Sequence, residues 1–299
     1  MPTPQAPRIP RKYQWMSNGT PVAVPYERFG EGPPLLLLPA LSTISSREEL
    51  REVANRLATS YTVTLTDWPG FGGSNRPLLR YRRGLYQRFL LSFVRKFFDE
   101  PPAVLAAGHA AGITVRLASR APALFSHFVL AAPTWRGPLP SALGGKRPAW
   151  LALMKWLIEQ PVIGPALYRL NVSRGMIEKM AKQHVFANPA MVTPQWLDAK
   201  EALTQDADAR YATAAFITGA LDPAHSREEF LGYLRAIGVP TLLLIGEDTP
   251  ERSLAEMDAM AAVEGVAHQR VPGSIGLHEE HPSLVAEAVR GFVSAPVPA

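Results

Sequence analysis

The chain has 299 residues, 47% of them hydrophobic and 19% charged, with a formal net charge of +5 and no cysteine. That length fits one large domain or two small ones, and the composition excludes wholesale disorder, disulfides, thiolate nucleophiles and cysteine-based zinc sites. The longest apolar runs, 35–38 and 103–107, fall far short of the roughly 20 residues that span a bilayer, and the charge is too modest at this size to imply nucleic acid. The first twenty residues set Arg8, Arg11 and Lys12 among prolines. No apolar stretch of the length of a secretory signal follows, so residues 1–20 are expected to form a Pro-rich basic tail and the protein to be cytoplasmic. Short apolar runs predict strands at 35–38, 61–66, 103–107 and 125–131, alternating with helical patterns at 47–59, 84–98 and 113–120. Such alternation means crossover units on a buried parallel sheet. The rhythm breaks after Pro133, where helical segments at 149–160, 164–170, 174–183, 195–202 and 227–237 follow one another between prolines. It then resumes with a strand at 241–245, a helix at 252–263, a short strand at 269–271 and a last helix at 283–292. The expected organisation is an α/β core over 21–133 and 238–295 with a helical cap inserted at 134–237.

The stretch 103–120, AVLAAGHAAGITVRLASR, carries a buried strand through Gly108-His109-Ala110-Ala111-Gly112 into a helix. It resembles the nucleophile elbow of the α/β-hydrolase fold superfamily, a G-x-S-x-G turn that lifts a serine off the sheet beside a histidine and an acid. Four further blocks in order extend the resemblance. Residues 33–41 resemble the strand leading to the oxyanion loop, and Asp67 to Ser74 (DWPGFGGS) the D-x-P-G-x-G-x-S turn. Residues 239–248 resemble the strand before the acid, and Glu279 to Pro282 the start of the final helix. The fold implied is a mostly parallel central sheet flanked by helices.

Acyl transfer by this family needs an oxygen nucleophile, an imidazole and a carboxylate. By the resemblance Ala110 stands at the nucleophile position, with no oxygen. Counting back from Pro282 puts Ile275 where the histidine belongs. The acid position is Thr249, with Asp248 one place early, and Pro39-Ala40 replaces the usual His-Gly. The N–H groups of Leu41 and Ala111 are the implied oxyanion hole, and Ala40, His109 and Ile275 are pocket candidates. A loop of different length would bring His278 to the place of Ile275, making His278 and Asp248 the remaining base and orienter. Nucleophile, histidine and oxyanion loop depart together, which favours natural divergence over a single engineered Ser→Ala change. His278-Glu279-Glu280-His281 invites a metal reading, but it lacks the i, i+4 spacing and a third ligand, so no metal is expected. No phosphate-cradling loop occurs and no cofactor is expected.

The segment 76–98 holds Arg76, Arg80, Arg82, Arg83, Arg88, Arg95 and Lys96 and no acid. Its amphipathic pattern fits either a surface for anionic membrane or an acidic partner, or a packing stripe with solvated arginines, the favoured account. The apolar inventory of the inserted helices, including Trp150, Leu151, Leu153, Met154, Trp156, Leu157, Met176, Ile177 and Met180, suggests the roof of an apolar pocket. Three functions follow as expectations. The first is a divergent, non-hydrolytic member binding a small apolar carbonyl-type ligand or partner. The second is an ester or acyl hydrolase whose serine was replaced by Ala110. The third is a scaffold or membrane-surface module using the basic helix.

Overall fold

A computed structural model describes residues 10–294. Eight strands form one sheet: β1 (Arg11–Ser17), β2 (Thr20–Phe29), β3 (Pro34–Leu38), β4 (Thr62–Thr66), β5 (Ala103–Ala107), β6 (Phe128–Ala131), β7 (Thr241–Gly246) and β8 (Val266–Val271). Their order is β1-β2-β4-β3-β5-β6-β7-β8. β2 runs antiparallel to β1 and β4, and every other pairing is parallel. Central strands β5, β6 and β7 are buried at every position, as expected for strands covered on both faces.

Helices α1 (Arg51–Leu57), α2 (Arg83–Phe97) and α3 (Gly108–Ala118) lie between the early strands. Seven more separate β6 from β7: α4 (Pro138–Ala142), α5 (Trp150–Glu159), α6 (Gly164–Asn171), α7 (Arg174–Met180), α8 (Pro194–Ala202), α9 (Ala209–Ile217) and α10 (Arg227–Ala236). α11 (Glu251–Ala261), α12 (Leu277–Glu280) and α13 (Pro282–Val293) complete the chain. Within the inserted stretch the structure separates two kinds of helix. Tyr211, Ala212, Phe230 and Leu234 join the main core, whereas Ile177, Phe186, Val192 and Leu197 form a small core of their own. α10, grouped with the insertion by sequence, packs on α3 and α11.

The predicted N-terminal tail is corrected over its described part, residues 10–20; residues 1–9 lie outside the described residues. Ser17 pairs with Thr20 across Asn18-Gly19, whose φ angles of +47° and +85° make a two-residue hairpin turn. Tyr13 and Trp15 of β1 pack edge-on against Phe97 and Phe89 of α2, with centroids 5.2 and 5.4 Å apart. The apolar face of α2 (Leu85, Tyr86, Phe89, Leu90, Phe93, Val94) is accordingly buried, and the packing-stripe account of this helix holds. Two of the seven cations are half-buried. Arg76 donates to the carbonyls of Gly72 and Leu203 at 2.8 and 2.9 Å, and Arg83 to His225 Nε2 at 2.9 Å. Arg80, Arg82, Arg88, Arg95 and Lys96 are exposed.

Candidate functional site

β5 ends in extended backbone at Ala107 and α3 begins at once, so the reversal falls on a single residue. That residue is Gly108, with a left-handed φ of +50°. In a nucleophile elbow the reactive side chain stands on the strained residue of the turn; here the left-handed residue is Gly108, while Ala110, given that place by the resemblance, lies two residues on. Ala110 is the third residue of α3 and fully buried. The residue after the left-handed one is His109, Ala111 is the fourth residue of α3, and Leu41 lies in the loop after β3. A Cβ on Gly108 would stand 3.1 Å from the Ala40 methyl, a tight contact that requires Ala40 to give by a few tenths of an ångström. Gly112, which made the sequence look like a motif in the other register, answers to packing. A Cβ there would meet Pro223 Cγ at 2.9 Å and the Thr134 carbonyl at 3.0 Å.

Thr249 is buried and its hydroxyl has no hydrogen-bond partner among the described residues. Asp248 is exposed, with its N–H donated to the Gly273 carbonyl at 3.0 Å, and it does not orient His278. Ile275 is half-buried against the main core. His278 is buried, and its Nε2 faces Glu49 Oε1 at 3.4 Å. The same Glu49 oxygen accepts the Ala40 N–H, tying this pair to the loop beside the turn. Burial alone would raise the Glu49 carboxyl, but His278, Lys200 and the Ala40 N–H outweigh it and hold the group below its ordinary value.

Glu49, His278 and Glu279 bring ligand atoms within 4.8 Å of one another, supplying the third ligand that sequence reasoning lacked. The set nevertheless fits a metal poorly. Glu279 already receives the Lys200 ammonium and the Trp196 indole N–H, each at 3.2 Å, so a cation is built into the cluster. A divalent ion would face that ammonium at close range in a buried setting.

A second buried cluster was equally invisible in sequence. His109 Nε2 lies 3.7 Å from Asp222 Oδ1, and Asp222 also receives the Gly137 N–H at 2.7 Å and Arg147 Nη2 at 2.6 Å. Burial pushes the His109 imidazole down to about 4, with the Arg147 charge acting the same way against the Leu221 carbonyl. Burial pushes the Asp222 carboxyl up to about 7 against the pull of Arg147. With its folded value below the ordinary 6.5, His109 binds fewer protons in the native state than in the unfolded chain between those limits. Its contribution is therefore complete above 6.5 and lost as pH falls toward 4; Asp222 has the opposite sign between 3.8 and 7. His109→Gln should gain stability relative to the parent across the His109 window, by about 3 kcal/mol. Denaturant unfolding at a series of pH values reads this, and a constant difference would show that His109 protonates freely in the fold.

Two open depressions, of about 400 and about 510 Å³, indent the surface elsewhere. Arg136, Lys146, His225 and Arg227 help line the first, and Tyr13, Arg88 and Arg95 the second; no residue of the turn contributes to either.

Among solved structures, a serine hydrolase involved in carbazole degradation shares 18% identity at a TM-score of 0.70, covering 96% of this chain and 99% of that one. A mutant of the haloalkane dehalogenase DatA from Agrobacterium tumefaciens shares 16% at 0.70, covering 96% and 97%. A bromoperoxidase from Bacillus anthracis shares 15% at 0.70, covering 96% and 100%. At such identities these likenesses show the fold alone. No curated protein matches the sequence. The sequence model of the alpha/beta hydrolase family matches residues 35–288. That match runs from β3 through the strand-to-helix turn at Gly108 into the last helix, and the chain belongs to the alpha/beta hydrolase family.

Proposed function

We propose that this family member acts by binding an apolar or amphipathic partner and not by serine-based acyl transfer. The observation that carries the reading is the turn itself. Its left-handed residue is a glycine, and the Ala40 methyl occupies the space beside it. Thr249 and Ile275 at the acid and imidazole positions support it, because an acyl-enzyme needs all three groups in place. Backbone donors at Leu41 and His109 remain as a polar anchor for a carbonyl oxygen. The place of Ala110 within α3, two residues past the left-handed turn, weighs against the replaced-serine alternative.

Incubation with a fluorophosphonate followed by intact-mass measurement is expected to leave the full chain unmodified. A stoichiometric adduct on any serine, Ser42 and Ser45 of the neighbouring loop included, would return the protein to the serine hydrolases.

A further inference from the structure

Helices α5, α6 and α7, with the turn that joins α5 to α6, point a large share of their apolar side chains outward. Val162 is 85% exposed, Leu170 72%, Leu153 56% and Trp156 55%, and Trp150, Ile163, Leu167, Met176 and Met180 are exposed as well. Of the residues expected to roof a pocket, only Leu151 and Ile177 are buried. Each helix carries its own stripe at helical spacing: Trp150, Leu153 and Trp156 on α5, Leu167 and Leu170 on α6, Met176 and Met180 on α7. Scattered exposed leucines are ordinary, but such stripes on successive helices mark a surface with a partner.

The charges around the stripes choose the partner. Both acids of these helices are consumed locally, Glu159 by Lys155 and Glu178 by Lys182, at 2.5 and 2.6 Å. Lys146, Arg169 and Lys179 are exposed and pair with no acid among the described residues. The loop carrying Leu78, 74% exposed, with Arg80 and Arg82 is fastened to the insertion through Arg76, whose Nη2 binds the Leu203 carbonyl at 2.9 Å. It adds one more apolar side chain and two more unpaired cations. A twofold contact between copies would set this cationic rim against itself, because an isologous interface must be self-complementary. Anionic headgroups complement the rim, while tryptophans and aliphatic side chains suit the boundary between headgroups and acyl chains.

We propose that α5–α7 form a peripheral docking surface for anionic membrane, laying Trp150, Leu153, Trp156, Leu167 and Leu170 into the headgroup region. This deepens the binding reading by naming its partner. It transfers the membrane role from α2, whose apolar face is buried, to helices whose apolar faces are open.

The test is flotation of the full chain with vesicles of phosphatidylcholine and phosphatidylglycerol in equal parts, against phosphatidylcholine alone. The chain should float with the mixed vesicles at low salt, scarcely with the neutral ones, and less as NaCl rises from about 0.05 to about 0.5 M. Leu153→Glu/Leu170→Glu, two exposed changes checked for folding by circular dichroism, should weaken binding by about tenfold or more. Arg88→Glu/Arg95→Glu on α2 should bind like the parent. No flotation at low salt overturns the proposal, as does flotation insensitive to the leucine changes or abolished by the α2 changes. A dimer in light scattering that those leucine changes dissociate would assign the surface to self-association instead. Fluorophosphonate labelling and flotation are separate readouts, so the site reading and the membrane reading fail independently.

Discussion

Arg47→Ala is expected to lower the stability of the fold by about 3–5 kcal/mol, the range for breaking a buried ion pair from one side. Arg47 donates through Nε to Glu27 Oε1 at 2.9 Å and through Nη1 to Asp67 Oδ2 at 2.7 Å, and its backbone N–H reaches the other Asp67 oxygen at 2.7 Å. The guanidinium thereby joins β2, the helical turn that leads into α1 and the turn that follows β4. Asp67 is fully buried, and burial raises its carboxyl against the pull of Arg47. Without Arg47 the carboxylate keeps only two backbone N–H groups, its own share from residue 47 and that of Gly73 at 2.9 Å. Glu27 suffers less because Arg51 binds both of its oxygens, at 2.5 and 2.6 Å. In a chain of this size such a loss lowers Tm by of order ten degrees. Thermal unfolding reads it, and adding Asp67→Asn to the variant should recover part of the loss. A drop below about 1 kcal/mol would place Asp67 in contact with water, contrary to its burial.

Gly108→Ser is expected to cost about 2–3 kcal/mol and to confer no reactivity. A left-handed backbone costs a non-glycine residue about 1–2 kcal/mol, and the new Cβ would press on the Ala40 methyl at 3.1 Å. Adding Ala40→Gly removes that contact and should recover part of the loss in denaturant unfolding. Neither variant should react with a fluorophosphonate, because the buried imidazoles look elsewhere: His109 toward Asp222 and the Phe216 ring, His278 toward Glu49. Rapid labelling of the double variant would mean that a base does face the turn, and would favour a hydrolase that lost its serine. If Ala40→Gly instead deepened the loss, the complementarity between positions 40 and 108 would be refuted.

The sheet was legible wherever burial on both faces writes a continuous apolar run, as in Leu35–Leu38, 103–107 and 241–245. β1 was missed although Asn18-Gly19 is a strong hairpin signal, because the prolines and basic residues before it suggested a tail. The elbow was found one half-turn out of register. Gly108 and Gly112 have the spacing of the motif, and only the backbone angle shows which of them bends the chain. Glu49 and Asp222 were beyond reach for another reason. Each meets its imidazole across more than one hundred residues of sequence, and no local pattern encodes a pairing that tertiary packing creates. For the inserted helices, composition gave the apolar side chains correctly but not the side on which they lie.

The two outer strands decide how these molecules behave when crowded. Among the described residues β1 pairs only with β2, and β8 only with β7, so within them each leaves one row of backbone donors and acceptors unpaired by the sheet. Open rows of this kind invite strands of other molecules to add on, the route to fibrils. Here the rows are defended. Arg11, Lys12 and Gln14 stand exposed beside Met16 on β1, and His268, Gln269 and Arg270 on β8, so a strand approaching either flank meets mainly hydrated polar side chains, three of them Lys or Arg. The sheet thus ends in polar selvedges, and cross-β growth from the native fold is opposed at both.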